Sequence, residues 1–97
     1  MGWAMHAIAA LKRGETTIIK PRGRSMEPRV HDGQEVTIEP VTFEDLCVDD
    51  VILCTIHGRD YLHLIKAIDR SRVLIGNNRG GTNGWIGVGS VHGKAKL

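Results

Sequence analysis

Val51-Ile52-Leu53-Cys54-Thr55-Ile56, then His57-Gly58-Arg59-Asp60, then Tyr61-Leu62-His63-Leu64-Ile65-Lys66-Ala67-Ile68, is the stretch that decides the fold class. An apolar run of strand length, a polar break containing glycine, and a second apolar run read as two antiparallel strands joined in a hairpin. Outward from it the same signals recur. Thr16-Thr17-Ile18-Ile19-Lys20 is β-branched and stops at Pro21; Gln34 to Glu39 alternates around Val36 and Ile38 behind an Asp32-Gly33 turn and ends at Pro40. After the hairpin, Arg72 to Ile75 reads as a short strand, Gly76 to Gly84 as a glycine- and asparagine-rich loop, and Trp85 to Val88 and Val91 to Leu97 as closing strands. Only Trp3 to Lys12, rich in alanine with Ile8 and Leu11 at helical spacing and Gly14 behind it, reads as a helix. The expected fold is mainly β: a small antiparallel barrel or sandwich with a short N-terminal helix.

Composition agrees with one compact domain over residues 1–97, the helical segment 1–14 preceding a β core over 16–97. Apolar residues at 41% and charged residues at 25% are ordinary for a globular chain and exclude a disordered one. A net charge of +2 lacks the concentrated basic stripe of a dedicated nucleic-acid binder, so nucleic acid is not an expected partner. The lysine and arginines at Lys20, Arg22, Arg24 and Arg29 read as a solvated rim around the loop they border. No run approaches the roughly 20 apolar residues needed to cross a bilayer, and no leader is read at the N-terminus, so a cytoplasmic location is expected. Cys47 and Cys54 read as two buried free thiols. His6, His31, His57 and His92 show no zinc-site spacing, and the run from Gly76 to Gly84 lacks the ending of a phosphate loop; no metal and no cofactor are expected.

The chemistry-bearing stretch is Gly23-Arg24-Ser25-Met26-Glu27-Pro28, a tight exposed loop. A serine hydroxyl needs a neighbouring base to become a nucleophile, and amides aimed at the oxyanion it creates. Gly23 permits close backbone approach, and the amides near Ser25 and Met26 can supply such donors.

This box, followed by Asp32-Gly33 and a strand, resembles the nucleophile box of LexA-type self-cleaving repressors and signal peptidases: a serine followed by methionine and a nearby proline, then an acidic-Gly pair opening a strand. Val48-Asp49-Asp50-Val51-Ile52-Leu53 is similar to the family's next strand, with Asp49 where glycine is common. Asp60 to Ile68 is similar to the strand that carries the general base, and His63 falls where bacterial leader peptidases and LexA-type repressors have lysine and archaeal and endoplasmic-reticulum signal peptidases have histidine. Val73-Leu74-Ile75-Gly76-Asn77-Asn78 looks like the family's strand ending in Gly-Asp-Asn, so the resemblance implies Asn77 as the group that orients the base. An asparagine can hold an imidazole by accepting its ring N–H but cannot offset imidazolium charge, so slow activity is expected.

The residues themselves also favour His63 over Lys66. An imidazole with a pKa of about 6.5 needs little tuning, whereas a lysine must lose several units by burial. Residues three apart on a strand face opposite ways unless a bulge intervenes, so only one of the two can meet Ser25. The leading expectation is a serine endopeptidase with a Ser25-His63 dyad and Asn77 behind it, with Gly23, Ser25 and Met26 forming the oxyanion and substrate-binding loop. It would act on a peptide or protein presented as an extended strand. The alternative is a catalytically inactive binding or dimerisation module of phage-repressor ancestry, with a homodimer as its arrangement. No helix-turn-helix, membrane anchor or Ala-Gly self-cleavage pair near the N-terminus is read, so self-cleavage is not expected, which leaves processing in trans, action with a partner chain, or no proteolysis.

Overall fold

The computed structural model describes residues 4–23, 26–78 and 80–97. Along the chain come α1 (Met5–Lys12), β1 (Thr17–Ile19), β2 (Val36–Glu39), a 3-10 turn at Phe43–Asp45, β3 (Val51–Ile56), β4 (Arg59–Asp69), β5 (Arg72–Gly76), β6 (Thr82–Gly87), a second 3-10 turn at Val88–Ser90, and β7 (Val91–Lys96). Among the described residues the strands form one sheet in the order β1-β2-β7-β3-β4-β5-β6, every neighbouring pair antiparallel. The fold is mainly β with one short helix, as the patterning predicts. It is an open sheet with β1 and β6 at its edges rather than a closed barrel.

The apolar run at Val51–Ile56 becomes the centre of this sheet because both of its faces are buried. Val51 and Leu53 join a cluster with Ala7 and Leu11 of α1, Ile19, Val36, Ile38, Leu62 and Leu64. Ile52, Cys54 and Ile56 join a second cluster with Leu46, Ile65, Val73, Ile75 and Ile86. Strand alternation thus feeds two cores from one segment. The loop after β1 is tied to the first core by Met26 and Val30, both buried. Its base is closed by Gly33 N donating to Pro21 O at 2.8 Å and Gly23 N donating to Asp32 Oδ1 at 2.7 Å.

Three expectations are corrected. The β3–β4 connection is two residues, not four: His57 and Gly58 have φ of 50° and 79°, the double positive φ of a type I′ turn, and Arg59 and Asp60 pair with Ile56 and Thr55. β6 begins at Thr82, so the last three residues of the presumed loop, Thr82 to Gly84, are strand, and its first, Gly76, ends β5. Asparagine and glycine have weak strand preference, but backbone pairing with β5 overrides it. Cys47 is exposed rather than buried, because it lies in the turn before β3, whereas Cys54 is buried within β3. Asp49, at the position where the resembled family commonly has glycine, has φ of 77°, a region that aspartate tolerates better than most residues.

Candidate active site

His63 sits mid-strand on β4, opposite Ile52 of β3, and is only 7% exposed. A buried imidazole needs a partner for its N–H, and Nδ1 has one: the carboxamide oxygen of Asn83, 2.9 Å away on β6. That oxygen can only accept, so Nδ1 carries the proton and the lone pair is left on Nε2, the form a general base requires. Burial pulls the His63 pKa below the usual histidine range, and the bond to Asn83 partly opposes it. The ring is therefore neutral at pH 7. Tyr61, two residues earlier on the same strand, packs its ring at 4.9 Å from that of His63.

The register explains how Asn83 reaches across. On β5–β6, Gly76 pairs with Thr82 but Ile75 pairs with Gly84, so Asn83 is the extra residue of a bulge. Bulges re-aim side chains, and this one turns an exposed strand residue toward β4. Asn77 does something else with its carboxamide: its Oδ1 accepts from Gly81 N at 2.9 Å, and its own amide donates to Gly81 O at 3.0 Å, closing the loop on itself. The sequence signal that could have found Asn83 is Thr82-Asn83-Gly84 set directly against Trp85-Ile86, a bulged strand start rather than a loop end.

Another bulge, this one in β4, falls at Lys66, between the Ile65–Ile75 and Ala67–Leu74 pairs. Its stem nevertheless lies on the face of Leu64: Lys66 Cε stands 2.9 Å from where a Cβ on Gly76 would be, and Gly76 is Leu64's partner. The lysine stem thus takes the face opposite to His63 by strand alternation.

His63, Tyr61 and Leu62 line a cavity of about 510 Å³ together with Gly23, Met26 and Val30 from the loop after β1, and Lys20 and Arg22 also border it. Ser25 and Arg24 lie outside the described residues. Gly23 brings its backbone to the cavity, but its amide donates to Asp32 Oδ1 and so is not turned toward the cavity as an oxyanion donor.

Neither a family model nor a curated protein matches the chain.

Among the described residues no group of three His, Cys, Asp or Glu side chains is gathered closely enough to hold a metal ion, and no helix is long and apolar enough to cross a membrane. What the described groups offer is one neutral, oriented imidazole beside a cavity, with cations at its rim. That arrangement suits proton transfer to and from a bound substrate.

Proposed function

We propose that the chain is a serine endopeptidase of the LexA and signal-peptidase kind, with Ser25 as nucleophile and His63 as general base. The observation that carries this reading is the shared cavity: the residues on either side of the Arg24-Ser25 pair, Gly23 and Met26, line it together with His63, whose Nδ1 proton is held by Asn83. The positive φ of Asp49, at the position where relatives commonly have glycine, is a second support.

In the proposed reaction Ser25 Oγ bonds to the carbonyl carbon of the scissile peptide as its proton passes to His63 Nε2. Loop amides, those of Ser25 and Met26 among them, stabilise the tetrahedral oxyanion. Collapse breaks the C–N bond, and the departing amine takes the proton from Nε2. A water molecule then gives its proton to Nε2 as it attacks the acyl-enzyme ester, and that proton returns to Ser25 Oγ on release of the acid. Asn83 supplies orientation but no negative charge, so the imidazolium formed midway is poorly compensated and turnover is slow.

The substrate is a peptide or protein segment in extended form. β1 is a sheet edge, and Lys20 to Gly23, directly after it, border the cavity, so a strand laid along β1 is led to it. The same reading holds that the chain works in the cytoplasm. The neutral amide on His63 also favours the second reading, a non-catalytic module of phage-repressor ancestry that functions as a homodimer. Incubation of the wild type, Ser25→Ala and His63→Ala with a broad peptide library separates the two. The peptidase reading expects cleavage abolished in the first variant and slowed ~10²–10⁴-fold in the second, with melting temperatures preserved. Wild type and variants behaving alike would leave the binding module.

A further inference from the structure

The loop between β5 and β6 touches both halves of the site. Its closure depends on Gly76: a Cβ there would collide with the Gly81 carbonyl oxygen and press on the Lys66 stem, and only glycine leaves room for both. With Gly81 drawn in, Asn77 and Gly81 exchange backbone and carboxamide hydrogen bonds at 3.0 and 2.9 Å. From this closed loop Asn78, half-buried, extends its Nδ2 to the carbonyl oxygen of Glu27 at 2.7 Å, across 51 positions of sequence. Just beyond it, the bulge aims Asn83 at His63 across 20 positions.

We propose that this loop and the β6 bulge that follows it form a positioning clasp: Asn83 of the bulge sets the tautomer of His63 while Asn78 of the loop holds the main chain of the serine-bearing segment at Glu27. The inference rests on the peptidase reading. Neither asparagine touches substrate; each acts through the group it holds. Preorganisation of this kind matters because a base and a nucleophile on separate segments must be held near their productive geometry, and a displacement of ~1 Å can cost about 10²-fold in rate. The two bonds also have separable signatures. Losing Asn83 changes what His63 Nδ1 can donate to. Losing Asn78 loosens the turn in which Val30 N donates to Met26 O at 3.0 Å, without touching the imidazole.

The test is nitrogen-15 NMR of the full chain combined with peptide cleavage, on the wild type, Asn83→Ala, Asn83→Asp and Asn78→Ala. In the wild type His63 carries its proton on Nδ1. Asn83→Ala mixes the tautomers and slows cleavage by on the order of 10²-fold. Asn83→Asp keeps the proton on Nδ1, moves the His63 titration midpoint upward, and restores cleavage with its acid limb displaced the same way. Asn78→Ala leaves the tautomer and midpoint of His63 as in the wild type, yet speeds amide exchange at Val30 by roughly tenfold, the loss of about one hydrogen bond. A His63 spectrum indifferent to Asn83→Ala, or Val30 exchange indifferent to Asn78→Ala, overturns the clasp. If instead wild type and Ser25→Ala behave alike toward peptides while the NMR contrasts persist, the peptidase reading falls and the clasp stands.

Discussion

Thr55 Oγ1 lies 2.7 Å from His92 Nε2 and donates to Asp60 Oδ1 at 2.7 Å, so one hydroxyl joins β3 to both of its neighbours, β7 and β4. Having given its only proton to the carboxylate, the hydroxyl must accept from the ring, and His92 carries its proton on Nε2. Thr55→Val leaves a half-buried imidazole N–H and the Asp60 carboxylate each short of a partner. The expected cost is about 1–3 kcal/mol, read as a lower denaturation midpoint with unchanged slope, and Thr55→Ser should retain most of that stability.

Stability should fall as the pH is lowered from about 7. Burial is the leading cause that holds both His63 and His92 below the usual histidine value of 6.5; Asn83 opposes it at His63, and at His92 Asp60 opposes it while Lys12 adds to it. A histidine whose folded pKa is depressed binds protons more readily in the unfolded chain. Its contribution to stability is therefore complete above the unfolded pKa of about 6.5 and is lost as pH falls from there toward the folded value. The loss starts above the carboxylate range, and melting temperatures measured between pH 8 and 5 will show it. His63→Gln and His92→Gln should each flatten the slope; an unchanged slope in both would contradict the assignment.

Gly93 on β7 is a contact point for α1. A Cβ there would stand 2.7 Å from Ile38 Cγ2 and from Glu39 O, both on β2, and 3.0 Å from Leu11 Cδ1 of α1, so β2 would have to shift against β7 while the Leu11 side chain gives way. Gly93→Ala is expected to cost about 1–3 kcal/mol, the usual range for overpacking. Gly87→Ala is the control, since nothing lies within 4 Å of its would-be Cβ. A thermal melt that treats the two alike would contradict the close contact of β7 with β2 at Gly93.

The two thiols should react very differently. Cys47 is exposed; Cys54 is buried in the second core, and burial foremost, with Asp60 adding to it, pushes its pKa up to about 12. Since the thiolate is the reactive form, a soluble alkylating reagent at pH 8 should label Cys47 in the native protein and reach Cys54 only after unfolding. Mass spectrometry of the native reaction tests this; double labelling at native rates would contradict the burial.

Much of the fold was legible because its signals are local. The run at Val51–Ile56 read as a strand from its length and apolar content, and β2 declared itself by alternation between a turn and a proline. His63 was legible as a candidate base because Asp60 to Ile68 resembles the strand that carries the general base in LexA-type repressors and signal peptidases, and because an imidazole needs less tuning than Lys66. Asn83 was not. It sits in a stretch whose glycine and asparagine content reads as loop, and it becomes strand only because β5 lends it a partner. Asn77 was the orienting group that the family resemblance implied, yet its carboxamide oxygen accepts from Gly81 N.

By itself the sequence determined most of the strand segments and that an imidazole would lie on one of them, since burial of apolar side chains is a free energy each segment carries with it. Only the tertiary structure decided that β7 would enter between β2 and β3, that a bulge would aim Asn83 at His63, and that Asn78 would reach Glu27. Those relations join residues from 20 positions apart, His63 and Asn83, to 59 apart, Thr37 and Lys96, and they depend on strand order and register, which no local periodicity encodes.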